Sequence, residues 1–102
     1  MASRIYRVVI TDEARNILCE HISFLARVNL SAAKILHGDL LARIKSLGRT
    51  PRLHPIFYSD SLETEYRKLI YKRYIILYSI DEPAGIVCVK FVWDSRKNNR
   101  LE

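Results

Sequence analysis

"YRKLIYKRYIILYSID", Tyr66 to Asp81, is the stretch that decides the fold, because it runs for sixteen positions without a glycine or proline. Aromatic, β-branched and basic residues are interleaved through it, a composition typical of β-strands. A single strand of this length would span about 53 Å at about 3.3 Å per residue, too long for so small a domain. The sequence therefore predicts two strands joined by a hairpin turn at Lys72 and Arg73.

The second arm of this hairpin is apolar on both faces, as expected for a central strand. We take Tyr74, Ile76 and Tyr78 as candidate core residues. The composition of residues 81–85, "DEPAG", predicts a turn, and the β-branched run "IVCVKFVW" that follows predicts a final strand over residues 86–93.

Before the hairpin, the sequence predicts a short strand and two amphipathic helices. The strand is "RIYRVVIT", residues 4–11, and Thr11 is a suitable N-cap for a helix over residues 12–28. The apolar residues of this helix recur at spacings of three and four: Ala14, Ile17, Leu18, Ile22, Leu25 and Val28. A second helix, with Ser31 as its N-cap, has a similar stripe: Ala33, Leu36, Leu40, Ile44 and Leu47. Gly48 and Pro51 then end it.

These elements predict an α+β fold in the order β-α-α-β-β-β. Because the apolar stripes of the helices must be buried, we expect a two-helix antiparallel hairpin packed on one face of an antiparallel β-sheet of three to four strands. The bases of the strand hairpin are expected to collect on the other face. The chain is predicted to be a single domain, residues 1–102, with a flexible tail over residues 95–102. Leu101 and Glu102 are candidate remnants of cloning.

Several classes of protein lose support from the sequence. No segment approaches the roughly 20 apolar residues of a membrane span, and the N-terminus has no export signal, so we expect a cytoplasmic protein without a membrane partner. Cys19 and Cys88 lack redox or metal-ligand spacing and are predicted to be buried free thiols. His21, His37 and His54 also lack ligand spacing, so we predict no metal and no cofactor. Phosphate-binding loops and nucleophile elbows are missing.

The charge of the chain indicates an anionic partner. It carries 17 Lys and Arg against 11 Asp and Glu, a net charge of +6. Residues 1–40 hold five bases and four acids, whereas residues 41–102 hold twelve bases and seven acids. The basic surface is therefore expected in the second half. Tyrosines beside bases in the strand hairpin could bind single-stranded nucleic acid, and the alternative is that the tyrosines serve the core while the charge serves solubility.

Four segments, in order, carry a resemblance to a known family: "YRVVITDEARNIL", paired helices ending in "LLARIKSLGRTPRLHP", then "EYRKLIYKRYIILYSID" and a closing "IVCVKFVWDSRKN". Over residues 4–98 the chain resembles the RelE/ParE superfamily of type II toxin-antitoxin toxins. The most specific parts are Arg67 in its strand, the turn at Lys72 and Arg73, and Arg96 after the last strand. The fold that this resemblance implies agrees with the fold predicted from periodicity.

The resemblance implies a small basic toxin neutralised by an acidic, partly disordered antitoxin, in a hetero-oligomer that serves as a plasmid-stabilisation or stress module. An acidic segment that folds on contact would suit exposed bases and open apolar surface. Phe24, on the helical hairpin, is a candidate contact for the antitoxin, and a place in the core is the alternative. The residues to which we assign partner binding are Arg67, Lys68, Lys72, Arg73, Trp93, Asp94, Arg96 and Lys97.

The two branches of this superfamily differ in mechanism. RelE-like members cleave mRNA at the ribosomal A site, and the residues matching that activity would be Arg67, Lys68 and Arg96. Two features depart from it: Ile75 stands where the best-known RelE-like type has arginine, and the tail has neither Tyr nor His. ParE-like members are not hydrolases and inhibit DNA gyrase. The chain resembles the ParE-like branch more closely; the alternatives are a RelE-like ribosome-dependent endonuclease and a degenerate, non-toxic antitoxin-binding protein.

Overall fold

The computed structural model describes residues 4–58 and 63–95 and shows two helices packed on a five-stranded sheet. The elements, in chain order, are β1 Arg7–Ile10, α1 Asp12–Val28, α2 Leu30–Ser46, β2 Ile56–Phe57, β3 Tyr66–Tyr71, β4 Tyr74–Asp81 and β5 Ile86–Asp94. The strand order across the sheet is β1-β5-β4-β3-β2. The predicted α+β fold is confirmed. Apart from Ser95, the predicted tail lies outside the described residues, as do Leu101 and Glu102.

The strand hairpin forms as predicted. β3 and β4 are antiparallel, with Tyr71 opposite Tyr74, and the turn between them contains Lys72 and Arg73. The sheet differs from the expectation in two ways: β1 runs parallel to β5, and the two-residue strand β2 adds a fifth strand beside β3. Parallel pairing is possible because the two helices lie between β1 and the other strands in sequence and return the chain across the sheet.

A single residue separates the two helices. The Thr11 side chain accepts a hydrogen bond from the Ala14 N–H and caps α1, as predicted. The second cap is Asn29 instead of the predicted Ser31, because the extended Asn29 donates its own N–H to the Leu25 carbonyl and accepts from the Ala32 N–H at 3.0 Å. Asn29 thus ends α1 and starts α2 without a loop.

The main core lies between the helices and one face of the sheet. All five residues of the predicted α2 stripe are buried, and so are Tyr74, Ile76 and Tyr78 on β4. Val28 is the exception in the α1 stripe: it is 75% exposed, because α1 ends there. Leu77 is fully buried on the opposite face of the sheet, outside the main core cluster.

The prediction of two buried thiols is wrong. Cys19 is exposed on α1 and Cys88 is half-buried on β5, and both are free. Cys19 follows the buried Leu18 by one position, and a step of one residue turns a helical side chain away from the core. No helix in the described part of the chain is long and apolar enough to cross a membrane.

Candidate functional site

Arg67 and Lys68, two adjacent bases of β3, lie on opposite faces of the sheet. Successive side chains of a strand point to opposite faces, and Leu69 on the same strand is in the core under the helices. Arg67 therefore projects to the helix side, while Lys68 projects to the open face. The expectation that all bases of the hairpin collect on the open face is wrong for Arg67.

Arg67 holds the loop that follows α2. Its Nη1 donates hydrogen bonds to the His54 carbonyl at 2.7 Å and to the Arg52 carbonyl at 3.3 Å. Beside it, the buried Tyr78 hydroxyl donates to the Pro51 carbonyl at 2.6 Å. Burial raises the pKa of Tyr78 to about 12, although the charge of Arg67 acts in the opposite direction. Arg67 Nε is buried with no hydrogen-bond partner among the described residues. The hydrogen bonds of Arg67 in this site therefore go to the loop.

The β3–β4 turn presents two bases at one end of the sheet. Lys72 is exposed, with a left-handed backbone (φ 53°), and its ammonium lies 5.4 Å from the centre of the Tyr71 ring. Arg73 Nε lies 3.1 Å from the carboxylate of Asp94, which is only 3% exposed. Asp94 is one of the residues to which partner binding is assigned, and in the structure it is buried and pairs with Arg73.

Aromatic side chains cover the open face of the sheet. Trp93 packs edge-on against Phe57, with ring centres 6.1 Å apart, and Tyr66 packs edge-on against Phe91 at 5.6 Å. They lie around Leu77, whose Cα partners are Lys68 and Phe91, so this face has a small apolar cluster of its own. Trp93 is half-buried in it. Arg96 and Lys97 lie outside the described residues.

Sequence reasoning missed a second arginine group at the other end of the sheet. Glu82, in the β4–β5 turn, accepts hydrogen bonds from Tyr6 Oη at 2.7 Å and Arg4 Nη1 at 3.3 Å and forms an ion pair with Arg52. Hydrogen bonds from Tyr6 and Arg52 lower the pKa of Glu82. The density of bases in "GRTPR", residues 48–52, was a local signal, but nothing in the sequence linked it to Arg4 or Glu82.

Metal binding and proton transfer both depend on how the titratable side chains are grouped. The described residues include no group of three His, Cys, Asp or Glu side chains that could hold a metal ion. Burial lowers the pKa of His54, and the charge of Arg43 lowers it further. The ring of His54 lies edge-on to Tyr78 with centres 6.3 Å apart, so this histidine serves the packing of the loop.

The comparison with protein families identifies the class of this chain. Residues 8–99 match the family described as the ParE toxin of the type II toxin-antitoxin system, parDE. The chain belongs to this toxin family. A chain of the RelBE2 toxin-antitoxin complex from Mycobacterium tuberculosis has the same fold, with a TM-score of 0.61 and 21% identity, covering 88% of this chain and 91% of that one. No curated protein shows significant sequence similarity to the toxin.

As a type II toxin, the protein has an antitoxin as its partner, and its helical hairpin carries exposed apolar surface suited to one. Phe24 is 70% exposed, which excludes the alternative core position. Further large apolar side chains of the hairpin are exposed as well: Val28, Leu30 and Ile35. Next to them, residues of both helices line a shallow groove of about 250 Å³. Such apolar area on a small protein is typical of a protein interface.

Proposed function

We propose that this toxin inhibits DNA gyrase through protein contact and acts in the cytoplasm as part of a toxin-antitoxin hetero-oligomer. The family match to the parDE system supports gyrase as the target. The observation that favours this target over mRNA is the position of Arg67 and Lys68 on opposite faces of the sheet. A nuclease that cleaves through the 2′-hydroxyl needs a base, an acid and cations around one phosphate.

The bonds of Arg67 add to this argument. A guanidinium that stabilises a phosphate must direct its N–H groups at the phosphate oxygens. Arg67 instead directs Nη1 at two loop carbonyls, and its Nε is inaccessible. Of the three bases that a RelE-like mechanism would use, Arg96 lies outside the described residues, and Arg67 and Lys68 are both half-buried. Arg67 is bonded to the loop, which leaves Lys68 as the described base that could approach a phosphate.

The predicted partner-binding residues differ in whether their side chains are free to contact a partner. The exposed Lys72, the exposed part of Arg73 and Lys68 are available to carboxylates of a partner. Trp93 adds apolar area on the open face. Arg67 and Asp94 act indirectly, because the first is bonded to the loop and the second is buried behind Arg73. Arg96 and Lys97, after β5, complete the proposed contact surface for gyrase.

The first test of the target is made in bacteria that lack the antitoxin. After induction of the toxin, incorporation of labelled thymidine and of labelled amino acid is followed over the first minutes. Gyrase inhibition predicts that DNA synthesis fails first, with a DNA-damage response, while translation continues. If translation stops first, the ribosome is the target and the proposal is wrong. Normal growth would instead support the degenerate, non-toxic alternative.

The second test uses purified toxin in a gyrase supercoiling assay. A variant that ends at Ser95 loses Arg96 and Lys97 but keeps every contact described above, including the Asp94 ion pair. We expect it to inhibit gyrase at least about tenfold less well, as expected for loss of interfacial bases, while its affinity for the antitoxin stays unchanged. The matched control ends at Lys97 and retains both bases. Equal inhibition by the two variants would exclude this role for Arg96 and Lys97.

The RelE-like alternative has one observation in its favour. Lys68 emerges on the open face close to Tyr66 and Phe91, and aromatic rings beside a base can hold an unstacked nucleotide. This alternative predicts ribosome-dependent mRNA cleavage that Lys68→Ala abolishes and Lys72→Ala leaves intact. Absence of cleavage by the wild-type toxin on programmed ribosomes would eliminate it.

A further inference from the structure

Three arginines surround a shallow depression of about 410 Å³ at the end of the sheet opposite to Lys72 and Arg73. The lining includes Arg4 before β1, together with Arg49 and Arg52 from the loop after α2. Glu82 stands in the turn that follows β4, whereas Lys72 and Arg73 stand in the turn that precedes it, so the two basic groups are separated by the length of β4. None of the residues of the depression was predicted to bind a partner.

Glu82 orders two of these arginines without neutralising the group. It contacts one guanidinium nitrogen of Arg4 and one of Arg52, and these two side chains stay 51% and 52% exposed. A guanidinium has five N–H donors, so donors on both remain open to solvent. Arg49 is exposed, and its side chain makes no hydrogen bond or ion pair to the residues that the structure describes. Three positive charges therefore face a single carboxylate.

Apolar surface adjoins these bases. Leu53 lines the depression and is 73% exposed. Phosphate-binding surfaces for single-stranded nucleic acid combine bases with exposed aromatic rings. Here the aromatic residue of the lining, Tyr6, is 8% exposed and its hydroxyl is bonded to Glu82. Bases next to an exposed aliphatic side chain match an acidic peptide that carries an apolar residue.

We propose that this depression binds an acidic, extended segment of a protein partner. Carboxylates of the segment pair with Arg49 and with the open donors of Arg52, and an apolar side chain packs on Leu53. Because Glu82 already fixes Arg52, little side-chain entropy is lost on binding. Pairing of a guanidinium with a carboxylate is bidentate and directional, so the ligand is recognised by geometry as well as by charge.

The test is a titration of purified toxin with a fluorescein-labelled peptide of glutamates around one central leucine, followed by anisotropy. Arg49→Ala is expected to weaken binding about tenfold, the loss of one charge-assisted contact. The matched control is Arg15→Ala, which removes the same charge from an exposed position on α1 and is expected to change the affinity less than about twofold. If the two substitutions weaken binding equally, the peptide is held by nonspecific charge attraction and the proposal is wrong.

Two further arms decide the nature of the ligand. Leu53→Ser is expected to weaken binding of the leucine-containing peptide and to leave binding of an all-glutamate peptide unchanged. If the wild-type toxin binds both peptides with equal affinity, the proposed apolar contact with Leu53 is wrong. Oligothymidine is the second probe. If it binds more tightly than the peptides and its binding depends on Arg49, the ligand of the depression is a nucleic acid and the peptide proposal is wrong. Since the assay contains no gyrase and no ribosome, its failure would leave the proposed target unaffected.

Discussion

Arg73 and Asp94 form an ion pair that joins the β3–β4 turn to the end of β5, with 3.1 Å between Nε and Oδ2. The Asp94 side chain is 4% exposed and that of Arg73 is 36% exposed. The Ser95 N–H also donates to the Arg73 carbonyl at 2.6 Å. Main-chain and side-chain contacts thus hold the turn against the strand, and the exposed part of Arg73 has a defined position.

Arg73→Ala is expected to lower the free energy of unfolding by about 1–3 kcal/mol, because the buried carboxylate of Asp94 loses a charged hydrogen-bond donor. Urea denaturation followed by Trp93 fluorescence measures the change. Arg15→Ala is the control, since surface substitutions stay within about 0.5 kcal/mol. An Arg73→Ala protein as stable as the control would show that the ion pair contributes nothing.

Lys72 combines a charge with an unusual backbone conformation, and two substitutions separate these features. With φ at 53°, a β-branched residue is strained, so Lys72→Val is expected to lower the free energy of unfolding by about 1–2 kcal/mol. Lys72→Asn removes the same charge but tolerates the left-handed region and should stay within about 0.5 kcal/mol.

The same pair of variants tests the role of Lys72 in the supercoiling assay. A loss of inhibition common to both variants comes from the missing charge, whereas a loss confined to Lys72→Val comes from the distorted turn. If both variants inhibit gyrase as strongly as the wild-type toxin does, Lys72 is not part of the proposed contact surface.

The sequence predicted the parts of the fold that depend on short-range patterns. Alternation over residues 74–80 identified Tyr74, Ile76 and Tyr78 as core, and the length limit on a strand located the turn at Lys72. The same alternation places Arg67 and Lys68 on opposite faces of the sheet, so the prediction that all bases of the hairpin share one face is inconsistent with it. Parallel pairing of β1 with β5 had no local signal, because it depends on how the helices return the chain.

Long-range contacts explain why much of the candidate site could not be predicted. A carboxylate just after an apolar strand normally indicates a surface position, but Asp94 is buried, and Arg73 reaches it from another element. Arg4 and Glu82 are 78 positions apart in sequence, so neither composition nor spacing connects them. Cys19 is exposed because the position one step from Leu18 faces outward.

Two glycines of the α2 region are expected to respond in opposite ways to alanine. A Cβ at Gly38 would have nothing within 4 Å, so Gly38→Ala is expected to raise the free energy of unfolding by about 1 kcal/mol through helix propensity. A Cβ at Gly48 would lie 2.7 Å from the Tyr6 carbonyl oxygen, so Gly48→Ala should destabilise the toxin. Thermal denaturation of both variants measures this contrast, and a stabilising Gly48→Ala would contradict the close approach of the Tyr6 carbonyl.

Glu82 is expected to give the toxin an acid-sensitive contact. Its pKa is lowered from 4.5 by the hydrogen bonds from Tyr6 and Arg52, so its contribution is present above about pH 4.5 and is lost as the pH falls through the lowered value. Glu82→Gln should therefore reduce stability at pH 6 more than at pH 3. Urea midpoints at both pH values, with the exposed Glu20→Gln as control, measure the difference. A pH-independent effect of Glu82→Gln would contradict the assignment.

Arg67 can serve the loop or a partner, and a comparison with Tyr78 decides between these roles. Both side chains donate to carbonyls of the loop, Arg67 to His54 and Tyr78 to Pro51. Tyr78→Phe removes only a buried hydroxyl and leaves the charge of the surface intact. It is expected to lower the free energy of unfolding by about 1–2 kcal/mol, since the Pro51 carbonyl loses its partner.

If Arg67 acts through the loop, Arg67→Ala and Tyr78→Phe should weaken the acidic peptide and the antitoxin in the same proportion, because each releases the segment that carries Arg52 and Leu53. Titration of both ligands, with Arg15→Ala as the charge-matched control at an exposed position on α1, measures this. A loss of antitoxin affinity with Arg67→Ala alone would instead make Arg67 a direct contact, which requires its guanidinium to leave the loop carbonyls.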